Sequence, residues 1–372
     1  MLNLARLETF VLRYPIDTPV QTSFGIMRDR PAVFVRVTDT EGAQGWGEVW
    51  CNFPTVGAEH RARLLDSVFT PLLVGSHYDG PDAAFKDLSA RTEVLAIQSA
   101  EPGPIAQCIA GLDIALWDLH ARRLGQPLWR LLGGASPEVP VYASGLNPTA
   151  PERLAAAQRA EGFRAFKLKV GFGRERDLDN LRALREAVGD GDLMVDANQA
   201  WDLETAAEHA AAFAPFNLRW LEEPLRATRP WSEWQALSAR APMPLAAGEN
   251  MASMEAFSQA LDAKCLGVLQ PDLAKWGGFS ACLPVARQAL TRGVRYCPHF
   301  LGAGVGLLAS AHLLAAAGGD GLLEVDANPN PLRTATCGPV AQVVNGHVRL
   351  SERPGLGDEP DLAALRSLLV PH

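Results

Sequence analysis

Seven residues able to carry metal or proton chemistry recur along the second half of this chain at nearly constant intervals: Lys169, Asp196, Glu222, Glu249, Asp272, His299 and Glu324. By subtraction the steps are 27, 26, 27, 23, 27 and 25 residues, about what one strand, one helix and two short loops consume. Such a series marks the same point of successive βα units. In a (β/α) barrel that point is the C-terminal end of each strand, where side chains from different strands converge on one cavity.

Length and composition admit this architecture and exclude several rivals. A chain of 372 residues with 48% hydrophobic content can bury a large core, and its length fits two domains better than one. A net charge of -8 with no block of like charges argues against a nucleic-acid surface. It leaves room for an anionic small molecule, because a bound divalent metal dominates its local field. Cys51, Cys108, Cys265, Cys282, Cys297 and Cys337 are scattered without a CxxC motif and read as reduced thiols of a cytoplasmic protein. Arg6 and Glu8 interrupt the apolar run that a signal peptide needs, so secretion is not expected. The longest apolar stretch, Val305 to Ala317, is too short to span a bilayer and contains His312, so no membrane partner is expected and the stretch reads as a barrel helix.

The organisation changes near residue 135. Before it come a strand-like run from Leu4 to Arg13 and a hairpin, AVFVRV then QGWGEVW, joined through Asp39 to Gly42. Helical patterns follow at about 58–73, 80–90 and 104–123, the last ending at Gly125. Strands followed by helices make an α+β unit. After it, eight apolar strand candidates alternate with helices: VPVYASG, FKLKVG, LMVDANQ, LRWLEEP, LAAGEN, GVLQPD, VRYCPH and LLEVDA. The expected division is an α+β capping domain over 1–135, completed by the tail from about 340 to 372, and a barrel over 136–339. Asn345-Gly346 reads as a hairpin turn that sends the tail back to the first domain.

Alternation along FKLKVG puts Lys167 and Lys169 on one face and Phe166, Leu168 and Val170 on the other. With the apolar set against the helices, both lysines face the barrel mouth. Two adjacent ammonium groups are expected to depress a lysine pKa and make an amine base. Asp196, Glu222 and Glu249 form an oxygen-only cluster on consecutive strands, suited best to Mg²⁺, next to Mn²⁺ and poorly to zinc. Without a cation the three would repel one another. Alternation sends Glu223 to the opposite side from Glu222, but which of the two faces the cavity is open at this level. Asn198, two residues after Asp196, faces the same cavity, where it either binds a substrate oxygen or holds the loop. Asp272 and His299, on neighbouring strands, fit a proton-transfer dyad in which the carboxylate fixes the imidazole tautomer.

These residues together resemble the enolase superfamily, specifically its mandelate racemase subgroup. The resemblance lies in Lys167-x-Lys169, Asp196-x-Asn198, Glu222-Glu223-Pro224, Gly248-Glu249-Asn250, Pro271-Asp272 with Lys275-Trp276-Gly277-Gly278, and His299. The segment from Gly111 to Gly134 is similar to the family's sequence just before its barrel. The resemblance implies an α/β fold, a modified (β/α)₇β barrel of the TIM type beneath an N-terminal α+β capping domain. It also implies Asp196, Glu222 and Glu249 as Mg²⁺ ligands, with Glu222 favoured over Glu223. Lys169 becomes the base on one face of the substrate, modulated by Lys167, and His299 with Asp272 the acid or base on the other. Glu324 becomes the group that hydrogen-bonds the substrate carboxylate, as a donor if protonated.

The implied reaction is Mg²⁺-dependent removal of a proton α to a carboxylate. The reading favours dehydration of a sugar-derived hydroxy acid to a 2-keto acid, with racemisation or epimerisation as the alternative. Asp272, where a related branch carries lysine, argues against cycloisomerase and dipeptide epimerase activity. Specificity is expected in the loops Thr22 to Arg28 and Trp50 to Val56, with Arg28, Trp50 and Asn52 as substrate contacts. Two other classes remain to be weighed: an inactive carboxylate-binding protein, and a zinc hydrolase, for which the series has too few histidines. The family also implies a homo-oligomer, dimer or octamer.

Overall fold

The computed structural model describes residues 1–21 and 25–372. The first sheet has four strands, β1 (Leu2–Gln21), β2 (Ile26–Asp39), β3 (Gln44–Val49) and β4 (His77–Tyr78), in the antiparallel order β3-β2-β1-β4. The expected hairpin turns through Gly42 at φ 88°, and β1 runs well beyond the expected strand. The expected helix at 58–73 is one helical run interrupted by a π-turn at Leu65–Phe69. The next helix, Pro81–Ser99, outlasts its expected span and ends only where Ala100 turns left-handed at φ 57°.

The Pro102–Arg123 helix packs across the back of this sheet through glycine. A Cβ on Gly47 would lie 2.0 Å from the Gly111 carbonyl oxygen, and one on Gly45 would lie 2.2 Å from that of Ala115. The QGWGEV strand therefore lies directly on helix backbone, a closeness no side chain permits.

Eight parallel strands make the second unit: β5 (Glu138–Leu146), β6 (Ala165–Lys169), β7 (Asp192–Asp196), β8 (Leu221–Glu222), β9 (Leu245–Ala247), β10 (Val268–Leu269), β11 (Arg295–Tyr296) and β12 (Leu323–Asp326). They pair in sequence from β5 to β11, and β12 closes onto β5. Between β11 and β12 no ladder forms; there the Leu322 amide reaches the Cys297 thiol at 3.3 Å. Seven helices of at least eight residues follow the first seven strands, whereas β12 is followed only by the short Pro331–Thr336 turn of helix. This is the modified (β/α)₇β barrel beneath an α+β cap.

Tyr142, Ala165, Met194, Trp220, Ala246, Val268, Cys297 and Leu322, one from each strand or its approach, fill the barrel interior as a separate apolar cluster. Phe166, Leu168 and Val170 pack outward with the helices, as the alternation requires. The plug seals one end, and polar inward residues can gather only at the other.

The two units are joined by buried polar contacts. Glu48 on β3 accepts from the Ala303 and Gly306 amides at 2.5 and 2.7 Å, at the start of the Gly304–Ala317 helix. Arg30 on β2 pairs with Asp326 on β12 at 2.7 Å, both buried. The tail turns at Asn345 and Gly346, both left-handed, and adds β13 (His347–Arg349) antiparallel to β5. Only then does it return to the first unit, where the Leu356 amide donates to Asp118 and the Val370 amide to the Val11 carbonyl. All six cysteines are buried and free. Among the described residues no helix is long and apolar enough to cross a membrane.

His312 ties three segments at one point. Its Nδ1 accepts from the Trp129 amide at 2.9 Å, and its Nε2 lies 3.1 Å from the Leu356 carbonyl, to which it therefore donates. Burial pushes its pKa down to about 3.

Two predictions follow from this packing. Gly47→Ala forces the strand off the helix and should lower stability by about 1–3 kcal/mol, read as a lower urea midpoint. His312 stays neutral in the folded state while the unfolded ring takes a proton near pH 6.5. Its contribution is therefore complete above that pH and is lost as pH falls toward about 3, with a slope of about 1.4 kcal/mol per pH unit. The wild-type minus His312→Gln difference in unfolding free energy should fall over pH 6.5 to 4.5 and stay flat from 7 to 8.

Candidate active site

The seven residues of the series stand at the open end of the barrel. Lys169, Asp196 and Glu222 terminate β6, β7 and β8, and their ladders set them level: Lys169 pairs with Asp196, and Asp196 with Glu222. Glu249, Asp272 and His299 lie two or three residues beyond β9, β10 and β11, and Glu324 lies within β12.

Each acid of this ring meets a cation, five carboxylates sharing three cations. Lys169 Nζ contacts Asp196 Oδ2 at 2.5 Å. Lys167 Nζ reaches both Glu222 oxygens at 2.6 and 2.7 Å and Glu324 Oε1 at 2.8 Å. His299 lies between two acids, with Nδ1 2.8 Å from Asp272 Oδ2 and Nε2 2.6 Å from Glu249 Oε2. Neighbouring polar groups complete the set. Glu222 also accepts from Gln270 Nε2 at 2.6 Å and Trp220 Nε1 at 3.2 Å, and Glu324 from the Ser144 hydroxyl and the Phe300 amide.

This pairing reverses one expectation about protonation. Burial and Lys167 both work to lower the Lys169 pKa, but Asp196, Glu222 and Glu249 outweigh them and hold it above the ordinary lysine value. Burial likewise opposes the charge on Lys167, yet Glu222 and Glu324 hold it well above. Lys167 does depress Lys169, but the surrounding carboxylates outweigh that effect. Burial alone would raise Glu324, but Lys167 and His299 bring it down to about 2, so it is an ionised acceptor and the condition for its acting as a donor, protonation, is not met. Burial would lower His299, but Glu249 and Glu324 raise it well above the ordinary imidazole range. Glu222 is pushed up to about 7, chiefly by burial, against the pull of Lys167.

Glu223 departs from the strand rule. It follows β8 at φ 39°, and outside extended backbone the alternation of faces no longer holds. Its side chain is buried on the same side as the cluster, where Asn250 Nδ2 donates to both its oxygens at 2.9 and 3.0 Å. Burial, then Glu249 and Asp196, raises its pKa well above the carboxylate range. Asn198, at φ 43°, turns its amide onto Asp196 Oδ2 at 3.0 Å.

A cavity of about 230 Å³ opens above these groups, lined by Lys169, Glu249 and His299 below and by Trp50, Phe53 and Leu301 on its apolar side. Asn198, Gln199, Asn250 and Lys275 complete its wall. Trp50 therefore takes its expected place. Asn52 does not line the cavity: its amide is spent on the Leu301 carbonyl at 2.5 Å, holding the segment just after His299. Arg28 is exposed and also absent from the lining, while Thr22, Ser23 and Phe24 of the same expected loop lie outside the described residues. Gln270 could have been anticipated, since it stands two residues before Asp272 and shares its face. Ser144 carried no such signal.

Among the described residues no three acidic or histidine side chains converge on a single point ready to grip an ion. Each of Asp196, Glu222 and Glu249 is instead turned onto a protein cation. The donor chemistry nevertheless fits a hard divalent metal, because these are oxygen ligands at the ends of three adjacent strands. The pairing also makes Lys167 a stability determinant. Lys167→Met would strip Glu222 of its ion-pair partner and leave Glu324 only His299 at 3.9 Å, and should lower unfolding free energy by about 3–5 kcal/mol, measured by urea denaturation at pH 7.

Residues 6–133 match the mandelate racemase/muconate lactonizing enzyme N-terminal domain, and residues 150–364 match the enolase C-terminal domain-like family. The chain is 33% identical over 389 aligned residues to a D-galactarolactone cycloisomerase of Agrobacterium fabrum, covering all of both proteins. It is 36% identical over 262 residues to an L-talarate/galactarate dehydratase of Salmonella typhimurium, covering 68% of this chain and 63% of that one. A solved mandelate racemase/muconate lactonizing enzyme from Bordetella bronchiseptica RB50 is 57% identical, with a TM-score of 0.94 over 99% of each chain. One full-length relative is thus named a cycloisomerase, an activity that Asp272 argued against from the sequence.

Proposed function

The chain belongs to the enolase superfamily, within its mandelate racemase and muconate lactonizing enzyme group, and from that premise we propose that it dehydrates a sugar-derived hydroxy acid to a 2-keto acid by way of an enediolate. That sites of this superfamily combine a lysine or histidine base with Mg²⁺ is a property of the group. What this chain adds is the observation that carries the reading: Lys169 and His299, the latter held by Asp272 behind it, line one cavity together with Glu249, beside the carboxylates of Asp196 and Glu222.

Asp196, Glu222 and Glu249 would hold Mg²⁺, with Mn²⁺ as the closest substitute. When bound, the metal supplies Lewis-acid stabilisation of the charge that develops on the substrate carboxylate. Lys169 takes the α-proton in its neutral form, which would become accessible once Asp196, Glu222 and Glu249, the carboxylates that raise its pKa, were engaged by a cation, and the electron pair of the C–H bond moves into the carboxylate to form the enediolate. That pair then returns to make a carbon–carbon double bond as the β-hydroxyl departs, protonated by His299 to leave as water. The resulting enol tautomerises to the 2-keto acid. Lys167 and Glu324 are buried against each other at 2.8 Å, and Asp272 fixes the His299 ring.

The wall favours a hydroxylated chain over a purely apolar substrate, since Asn198, Gln199, Asn250 and Lys275 offer hydrogen-bonding groups along it. Two neighbouring outcomes use the same first step. An acyloxy leaving group on the β-carbon gives lactone opening; the Agrobacterium relative is named a D-galactarolactone cycloisomerase. Without a leaving group, return of a proton from the opposite face gives racemisation.

Proton NMR in D₂O with Mg²⁺ tests the proposal on galactarate, galactonate, arabinonate and mandelate. The expected outcome is a 2-keto product from at least one sugar acid, abolished by EDTA with the circular dichroism spectrum intact. Lys169→Ala should cost about 10²–10⁴-fold in rate. Turnover that survives chelation, or zinc-dependent ester cleavage, would contradict it. Exchange with inversion and no loss of water would replace dehydration by racemisation.

A further inference from the structure

Three ammonium groups approach the barrel mouth, and they are not equivalent. Lys167 and Lys169 are each engaged by carboxylates within 3 Å. Lys275, six residues beyond the end of β10, forms no ion pair within 4.0 Å among the described residues. Its Nζ donates to the neutral Asn250 Oδ1 at 2.9 Å and sits 4.9 Å from the centre of the Trp50 ring. An ammonium carries three donors, and neither contact neutralises its charge.

The surrounding acids do not account for it. Glu249 is satisfied by His299 and Asn250, and Glu223 by both hydrogen bonds from Asn250. Lys275 draws both carboxylates toward ionisation from a distance but pairs with neither. It lines the same small cavity as Lys169 and His299, between Asn250 and the capping-unit residue Trp50. The ring face holds the charge in place without cancelling it.

We propose that Lys275, backed by Trp50 and Asn250, reads a second anionic group at the far end of the substrate, so that the enzyme selects sugar diacids over the corresponding monoacids. A cavity this small brings both ends of a short acid to its walls. The carboxylate undergoing chemistry takes one end, and Lys275 is the cation left unclaimed for the other. Arg28, the cation expected for this role, is not in the lining. The inference rests on the site being one for sugar-derived acids, and its test uses binding as well as turnover.

Dissociation constants of galactarate and galactonate are measured by calorimetry with Mg²⁺ on wild type, Lys275→Gln and Lys275→Arg, alongside kcat/KM wherever turnover occurs. Wild type should bind the diacid more tightly. Lys275→Gln should reduce that preference by about ten- to a hundredfold, by weakening the diacid far more than the monoacid, and Lys275→Arg should retain most of it. A wild type without diacid preference, or a Lys275→Gln variant that weakens both acids equally, overturns the inference and leaves Lys275 as a support for Asn250. A lost preference in binding with no turnover of either acid would uphold the inference while sinking the proposed reaction.

Discussion

A barrel mouth that buries Asp196, Glu222, Glu324 and Asp272 beside a half-buried Glu249 must balance their charge, because uncompensated carboxylates in a low-dielectric interior are too costly to keep. The protein meets this with Lys167, Lys169 and His299, each within 3 Å of at least one acid. Everything about the site's protonation follows from that balance. Lys167 holds Glu324 ionised, Asp196 keeps Lys169 charged, and Glu249 and Asp272 grip His299 from both ring nitrogens. The same cluster that could hold a divalent cation is therefore the cluster that sets the charge state of the acid–base groups.

The fold supplies the frame for that balance. Short strands of two to five residues carry most of the ring, and the apolar plug beneath fixes their level. The capping unit then reaches the segment after β11 from two sides. Glu48 caps the Gly304–Ala317 helix, and Asn52 holds the Leu301 carbonyl, so the backbone leading away from His299 is anchored by residues from the other unit. Trp50, between them in sequence, forms the roof of the cavity. A specificity wall and a catalytic loop are thus positioned by one stretch of chain, residues 48–53.

Much of this was legible in the chain because it rests on period. The interval of about 26 residues located the strand ends, and alternation within FKLKVG sorted the lysines from the core residues. What could not be read depends on backbone that leaves the regular regions or on contacts made across the chain. Glu223 turns inward because φ is 39°, a departure that alternation cannot anticipate. Asn52 and Arg28 were chosen for side-chain type, and three-dimensional placement assigns the first to a backbone carbonyl and the second to the surface. The lysine pKa went astray for a related reason: two neighbours in sequence were weighed, while the decisive charges came from other strands.

The central claim is that Asp196, Glu222 and Glu249, and not Glu223, form the divalent-metal site. Calorimetric titration with Mn²⁺ of wild type, Glu222→Gln and Glu223→Gln tests it most directly. The account predicts one tight site in wild type, lost or strongly weakened in Glu222→Gln and kept in Glu223→Gln. The reverse pattern, or equal binding by all three proteins, would contradict it.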